Sequence, residues 1–198
     1  TPGYPLYTAI ASKLQMMENP YYLDESNGWL PDIGDIKSKI NDKTKAIVLI
    51  NPNNPTGSLY TRENLQQIVD LALEHNLVIF ADEIYDKLLF DGKKHISIAS
   101  LNKDVSCITF GGLSKNYMVP GFRIGWGIVS GRKEVLSDFI EAVNKIREHL
   151  LPNPPSSPAI ALFKDGELVT MVERHQIEGI PAQAIAQHLI AAFNEHCN

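Results

Sequence analysis

The sequence predicts an α/β fold with a mostly parallel central sheet, and three observations carry that expectation. The runs Ala46–Ile50 (AIVLI) and 77–81 (LVIFA) are continuous, apolar and too short for buried helices. They read as strands covered on both faces. Between them Leu65, Ile68, Val69, Ala72 and Leu73 recur at helical spacing behind Thr61, a residue type suited to capping a helix. Strand, helix, strand is the unit from which parallel sheets are built.

The other elements follow in order. Tyr4, Tyr7, Ile10, Leu14 and Met17 recur every three or four residues as one helical face, and a short extended stretch follows at 21–23. Ile33, Ile36 and Ile40 mark a second short helix. A third strand at 107–110 is expected to break at Gly111-Gly112, and a fourth lies within 123–129. Val135, Leu136, Phe139, Ile140, Val143 and Ile146 line one side of an amphipathic helix over 132–149. Four prolines within 150–158 cannot sit inside a helix, so this is the natural boundary. Beyond it two apolar runs flank Asp165-Gly166, the signature of a β-hairpin. A last helix is expected from Pro181, with Ile185, Leu189, Ala192 and Phe193 inward.

Composition narrows the function. The 198 residues are 44% hydrophobic and 21% charged, enough to bury a core. A net charge of −5 without any basic block argues against a nucleic-acid groove or a polybasic membrane anchor. No apolar run approaches the length of a membrane span. Cys107 and Cys197 are far apart, with no CxxC and no Cys/His cluster. Neither a disulfide framework nor a metal site is expected, and a reducing cytoplasm is the natural compartment. The opening TPGYPLY lacks the basic and apolar regions of a signal peptide, and a start without Met reads as a chain cut from something larger.

Three motifs carry chemistry: NPNNPTG at 51–57, DEIYD at 82–86 and GGLSKNYMVPGFRIGW at 111–126. Each follows or ends an expected strand at the sheet edge where α/β folds bind ligands. Taken singly, a lysine is usually a solvated charge, a strand-end Asp a helix cap, an Arg a surface ion pair and Tyr4 a core residue. Their co-occurrence in this order outweighs those readings. Residues 1–146 resemble the large-domain centre of the fold-type I, class I/II aminotransferases, nearest the alanine and aspartate branch. The resemblance implies a three-layer α/β sandwich, pyridoxal 5'-phosphate as cofactor, and an amino acid and a 2-oxo acid as small-molecule partners. It also implies roles. Lys115 would be the catalytic lysine that forms a Schiff base with the cofactor and shuttles the α-proton, a role that needs a neutral amine. Asp82 would face the pyridine nitrogen and keep it protonated. Tyr85 and Asn54 would hydrogen-bond the ring's 3-oxygen. Arg123 would grip the phosphate bidentately, with Ser114 as a further phosphate donor. Tyr4 would stack on the ring.

The resemblance also has gaps. A Gly/Ser/Thr-rich phosphate turn belongs upstream of residue 1, and an arginine for the substrate carboxylate belongs downstream, a role neither Arg147 nor Arg174 suits. Gly111 stands where many relatives carry Asn. From about residue 147 the sequence is similar instead to the C-terminal ββα part of a bacilliredoxin, a thioredoxin-like protein. That likeness implies a cis peptide at Ser157-Pro158, while the matching cysteine pair is absent. Cys197 then reads as a bystander thiol, and His175 and His196 as surface residues. The expectation is an engineered hybrid: 1–146 a partial aminotransferase large domain, 147–198 a thioredoxin-like hairpin and helix completing the same sheet. It would keep a cofactor site at Lys115 with transamination weak or absent. The alternatives are a purely structural chimera, a thiol-disulfide redox protein, or an aminotransferase completed by another chain, and monomer and homodimer are equally open.

Overall fold

The computed structural model describes residues 2–150, 160–164, 167–172 and 174–197. The chain forms two compact units, Thr1–Val135 and Leu136–Asn198. The division falls ahead of the 146/147 junction expected from the sequence, so the helix following residue 136 groups with the C-terminal elements.

In the first unit, helix α1 (Pro5–Lys13) starts with a proline in its first turn, where the missing N–H is no loss. It is shorter than the apolar spacing implied: Gln15 takes a left-handed φ of 55°, and Met17 lies beyond the helix, 97% exposed. Strand β1 (Leu23–Asp24) pairs antiparallel with β2 (Leu30–Pro31), so of the extended stretch at 21–23 only Leu23 joins a ladder. Helix α2 (Ile33–Lys39) is capped by Asp32, whose carboxylate accepts the Asp35 N–H at 2.9 Å. Strand β3 (Ala46–Ile50) leads to helix α3 (Arg62–Glu74), capped by Thr61 Oγ1 accepting from the Asn64 N–H at 3.2 Å. Strands β4 (Val78–Asp82) and β5 (Cys107–Gly112), the short helix α4 (Leu113–Asn116) and strand β6 (Gly125–Ser130) complete the unit.

The sheet order is β3-β4-β5-β6, parallel across the first two pairings and antiparallel at the last. One core backs it: Leu65, Ile68, Val69 and Ala72 of α3 pack with Ile47 and Leu49 of β3 and Ile79 and Ala81 of β4. Because β3, β4 and β5 run parallel, their C-terminal ends and the loops that follow lie along one edge.

One expectation about this sheet is corrected. Gly111-Gly112 does not end β5; the pair continues it, opposite Trp126 and Gly125 of β6. The glycines permit this because a Cβ on Gly111 would overlap the Trp126 indole. The fourth strand falls where expected, at Gly125–Ser130, after Arg123 closes the preceding 3-10 turn (Pro120–Phe122) with a left-handed φ of 52°.

The second unit holds helix α5 (Ser137–Leu150), the antiparallel pair β7 (Ile160–Lys164) and β8 (Glu167–Val172), and helix α6 (Ala182–Cys197). Helix α5 meets β8 and α6 meets β7. Strands β7 and β8 pair antiparallel as a two-stranded sheet, the hairpin partners expected from the sequence. Ala192 of α6 is buried as expected, whereas Phe193 is 53% exposed. The Ser157-Pro158 peptide lies outside the described residues, as do the side chains of Arg147, Arg174, His196 and Cys197. His175 is exposed.

Candidate active site

Three loops at the C-terminal edge of the sheet build one cavity. After β3, the turn at 51–57 is held mainly by its first two asparagines, both buried. The Asn51 N–H continues the ladder to the Asp82 carbonyl (3.0 Å), and its side-chain oxygen accepts the Tyr60 N–H (2.9 Å). Asn53 Oδ1 accepts from the Thr56 hydroxyl (2.9 Å) and the Thr56 N–H (3.3 Å), while its Nδ2 donates to the Tyr60 hydroxyl (3.3 Å). The peptides before Pro52 and Pro55 are cis. Asn54, half-buried, lines the cavity.

At the end of β4, both oxygens of Asp82 are engaged. Oδ1 accepts the Ile84 N–H at 3.2 Å, and Oδ2 accepts the Tyr7 hydroxyl at 2.7 Å across 75 residues of sequence. After β5, α4 presents Lys115, whose Nζ stands 5.9 Å from the centre of the Tyr85 ring.

The cavity measures about 270 Å³. Tyr4, Asn54, Asp82, Tyr85 and Lys115 supply its polar and aromatic groups, and Ile50, Ile84 and Phe110 its apolar walls. One carboxylate, one amine, an amide and two phenols thus converge on an apolar-walled space, the arrangement typical of a small-molecule site.

Five of the seven residues singled out from the sequence meet there. Ser114 and Arg123 do not line it. Arg123 is exposed, its backbone is left-handed, and its Nη1 donates to the Pro120 carbonyl at 2.8 Å. Among the described residues no cluster of three or more His, Cys, Asp or Glu could hold a metal ion, and no helix is long and apolar enough to cross a membrane.

Tyr7 is the site residue that sequence reasoning missed. Its spacing from Tyr4 was absorbed into an apolar helix face, and the two rings do meet edge-on, their centroids 6.4 Å apart. The signal was its hydroxyl, because a tyrosine on an inward face needs a polar partner. Burial and the Asp82 carboxylate push the Tyr7 phenol far above its usual range, so it remains a neutral donor.

The pattern of the aminotransferase class I and II family matches residues 1–190. The chain belongs to that family. The match runs past residue 146, through most of the segment read from sequence as thioredoxin-like. An alanine aminotransferase of Mycobacterium tuberculosis is 50% identical over 167 residues, 84% of this chain and 39% of the relative. The glutamate-pyruvate aminotransferase AlaA of Escherichia coli is 49% identical over 160 residues, 80% of this chain and 40% of its own length. Among solved structures, an Escherichia coli aminotransferase superposes with a TM-score of 0.71 at 50% identity over 73% of this chain and 36% of that one. An alanine aminotransferase from Pyrococcus furiosus gives a TM-score of 0.71 at 41% identity, covering 74% of this chain and 37% of that one. The chain spans about two fifths of the length of these curated relatives.

Aminotransferases of this family depend on pyridoxal phosphate, and the cavity's donor set fits the ring end of that cofactor. An amine can meet the aldehyde, a carboxylate the pyridine nitrogen, an amide and a phenol the ring hydroxyl, and an aromatic side chain the ring face. The phosphate end is less well furnished: no guanidinium or hydroxyl-bearing serine is among the lining residues.

Proposed function

We propose that this aminotransferase-family chain binds pyridoxal 5'-phosphate at Lys115 and serves amino-group transfer between an amino acid and a 2-oxo acid, alanine being the amino acid. The observation that supports it best is the convergence of Lys115, Asp82, Asn54 and Tyr85 from three separate loops on one cavity. The names of the relatives, alanine and glutamate-pyruvate aminotransferase, support the choice of substrates.

When bound, the cofactor supplies an electron sink that lets the α-proton of an amino acid leave. This chain's residues do the rest. Lys115 would supply the primary amine that meets the cofactor's aldehyde and the base for the α-proton. Asp82 would hold the proton of the ring nitrogen, and Asn54 and Tyr85 would hydrogen-bond the ring oxygen. Tyr4 covers a ring face. Ile50, Ile84 and Phe110 would give the ring apolar walls to pack against.

On its own the chain is expected to bind the cofactor and turn over slowly, because no arginine among the lining residues is in place to orient a substrate carboxylate. The finer reading of residues 147–198 as a thioredoxin-like graft has less support. The family match through residue 190 weighs against it.

The deciding experiment is a titration with pyridoxal phosphate followed by visible absorbance, run on the full chain and on Lys115→Ala. A band present in the first and missing from the second is the expected result. Identical spectra would sink the proposal and leave a purely structural role.

A further inference from the structure

Asp82 is the only carboxylate among the residues lining the cavity, and its two oxygens are held differently. Oδ1 takes a backbone N–H from the loop that follows its own strand, at 3.2 Å, which any residue at position 84 except proline would supply. Oδ2 takes a side-chain hydroxyl from Tyr7, at 2.7 Å, and this bond depends on one residue far away in the sequence. The helix that carries Tyr7 has no buried residue, so packing alone does not explain why a phenol is brought to this carboxylate. The same segment sets Tyr4 into the cavity wall.

We infer that Tyr7 is a positioning residue: its hydroxyl fixes the rotation of the Asp82 carboxylate, so that the remaining acceptor sites of that group serve the ring nitrogen of the cofactor. The inference rests on the cofactor reading above and goes beyond it by adding a residue that touches neither substrate nor cofactor. A carboxylate held at one oxygen only by a backbone N–H still swings about its last torsion, which is broad for Asp. A second, charge-assisted bond at the other oxygen removes that freedom and leaves less to be ordered when a ligand arrives. The donor is dependable, because burial and the facing carboxylate keep the phenol protonated over the working pH range. No proton leaves Tyr7; it donates throughout.

The test compares two ligands in the full chain. One is pyridoxal phosphate; the other is its analogue with CH in place of the ring nitrogen, which has no proton for Asp82 to hold. Dissociation constants come from the Lys115-dependent absorbance band of each. Tyr7→Phe is expected to weaken pyridoxal phosphate by about tenfold, the scale of one charge-assisted hydrogen bond, and to leave the analogue within about twofold. In an Asp82→Ala background the same substitution should have almost no effect on either ligand. Equal weakening of both ligands, or full effect without Asp82, overturns the inference and makes Tyr7 a structural contact. If Tyr7→Phe does not fold, Tyr7→His, which keeps a ring N–H donor, and Tyr7→Met, which lacks one, run the same comparison, and equal constants in those two overturn it. A wild-type chain with no Lys115-dependent band removes the cofactor reading itself. A band with no response to Tyr7 removes only this inference.

Discussion

Glu83 follows Asp82 directly and is turned away from the cavity. It is buried, its Oε1 accepts the Ile98 N–H at 3.1 Å, and its Oε2 lies 3.9 Å from His95 Nε2. That nitrogen also reaches the Asn51 carbonyl at 3.1 Å; a carbonyl only accepts, so Nε2 carries the hydrogen. Burial pushes the Glu83 carboxyl from an ordinary 4.5 up to about 7 and holds His95 below its ordinary range. The two act in opposite directions. As pH rises from 4.5 to about 7, the unfolded chain releases the Glu83 proton while the folded chain keeps it, so this group's contribution of roughly 3 kcal/mol is lost across that window. As pH falls below 6.5, the unfolded chain protonates His95 and the folded chain resists, so the histidine costs stability in acid. Glu83→Gln removes the first slope and leaves the second. Urea unfolding across pH 5–8 should show the variant gaining on the wild type toward pH 8 and losing stability more steeply toward pH 5. A constant offset between the two would mean that Glu83 does not titrate in this range. Residues of this kind were not legible beforehand, because nothing in DEIYD says which acid faces ligand and which faces the core. Asn54, Asp82, Tyr85 and Lys115 were legible because each sits in a motif with a fixed place on a strand end. Arg123 was in a motif too, but nothing in the sequence announced its left-handed backbone.

The elements most plainly written in the sequence are those whose apolar pattern is answered by burial. Strands β3 and β4 and helix α3 were legible because both strands put alternate residues into the core and the helix adds five. Even the cap was readable, and it yields a prediction: Thr61→Ala leaves the Asn64 N–H without its side-chain acceptor and should cost about 1 kcal/mol in chemical denaturation. Thr61→Ser, which keeps the hydroxyl, should lose much less. Elements at the margin were read less well. Strand β6 is exposed over Gly125–Ile128, and α1 has no fully buried residue, so their ends are set by backbone turns at Arg123 and Gln15 rather than by a hydrophobic face. Gly131, just after β6, is a third such point, with φ at +82° and the Val105 carbonyl packed where a Cβ would stand. Gly131→Ala combines backbone strain with a collision against main chain, neither relieved by moving a side chain, and should cost about 2 kcal/mol or more in the same assay. An unchanged midpoint would show that the end of β6 can shift without loss.

At the scale of the whole molecule, the cavity is furnished at one end. Its lining holds groups for an aldehyde, a ring nitrogen and a ring oxygen, while Ser114 and Arg123, the residues expected at a phosphate, lie outside it. Most residues that line it were legible because they belong to motifs at the ends of β3, β4 and β5. This asymmetry can be measured by leaving the phosphate off the ligand. A bidentate guanidinium on a phosphate in a dry pocket is worth on the order of tenfold to a hundredfold in affinity for each good charged bond, and several such bonds multiply. With Arg123 tied to Pro120 and no such clamp in the lining, pyridoxal should bind within about tenfold of pyridoxal phosphate, and Arg123→Ala should move neither constant by more than about twofold. Both ligands report through the same Lys115-dependent band, so the comparison needs no turnover. A thousandfold preference for the phosphate form would mean that a clamp assembles on binding. Its loss in Arg123→Ala would then return the guanidinium to the role its motif implies, and its survival would point to groups beyond the cavity's present lining.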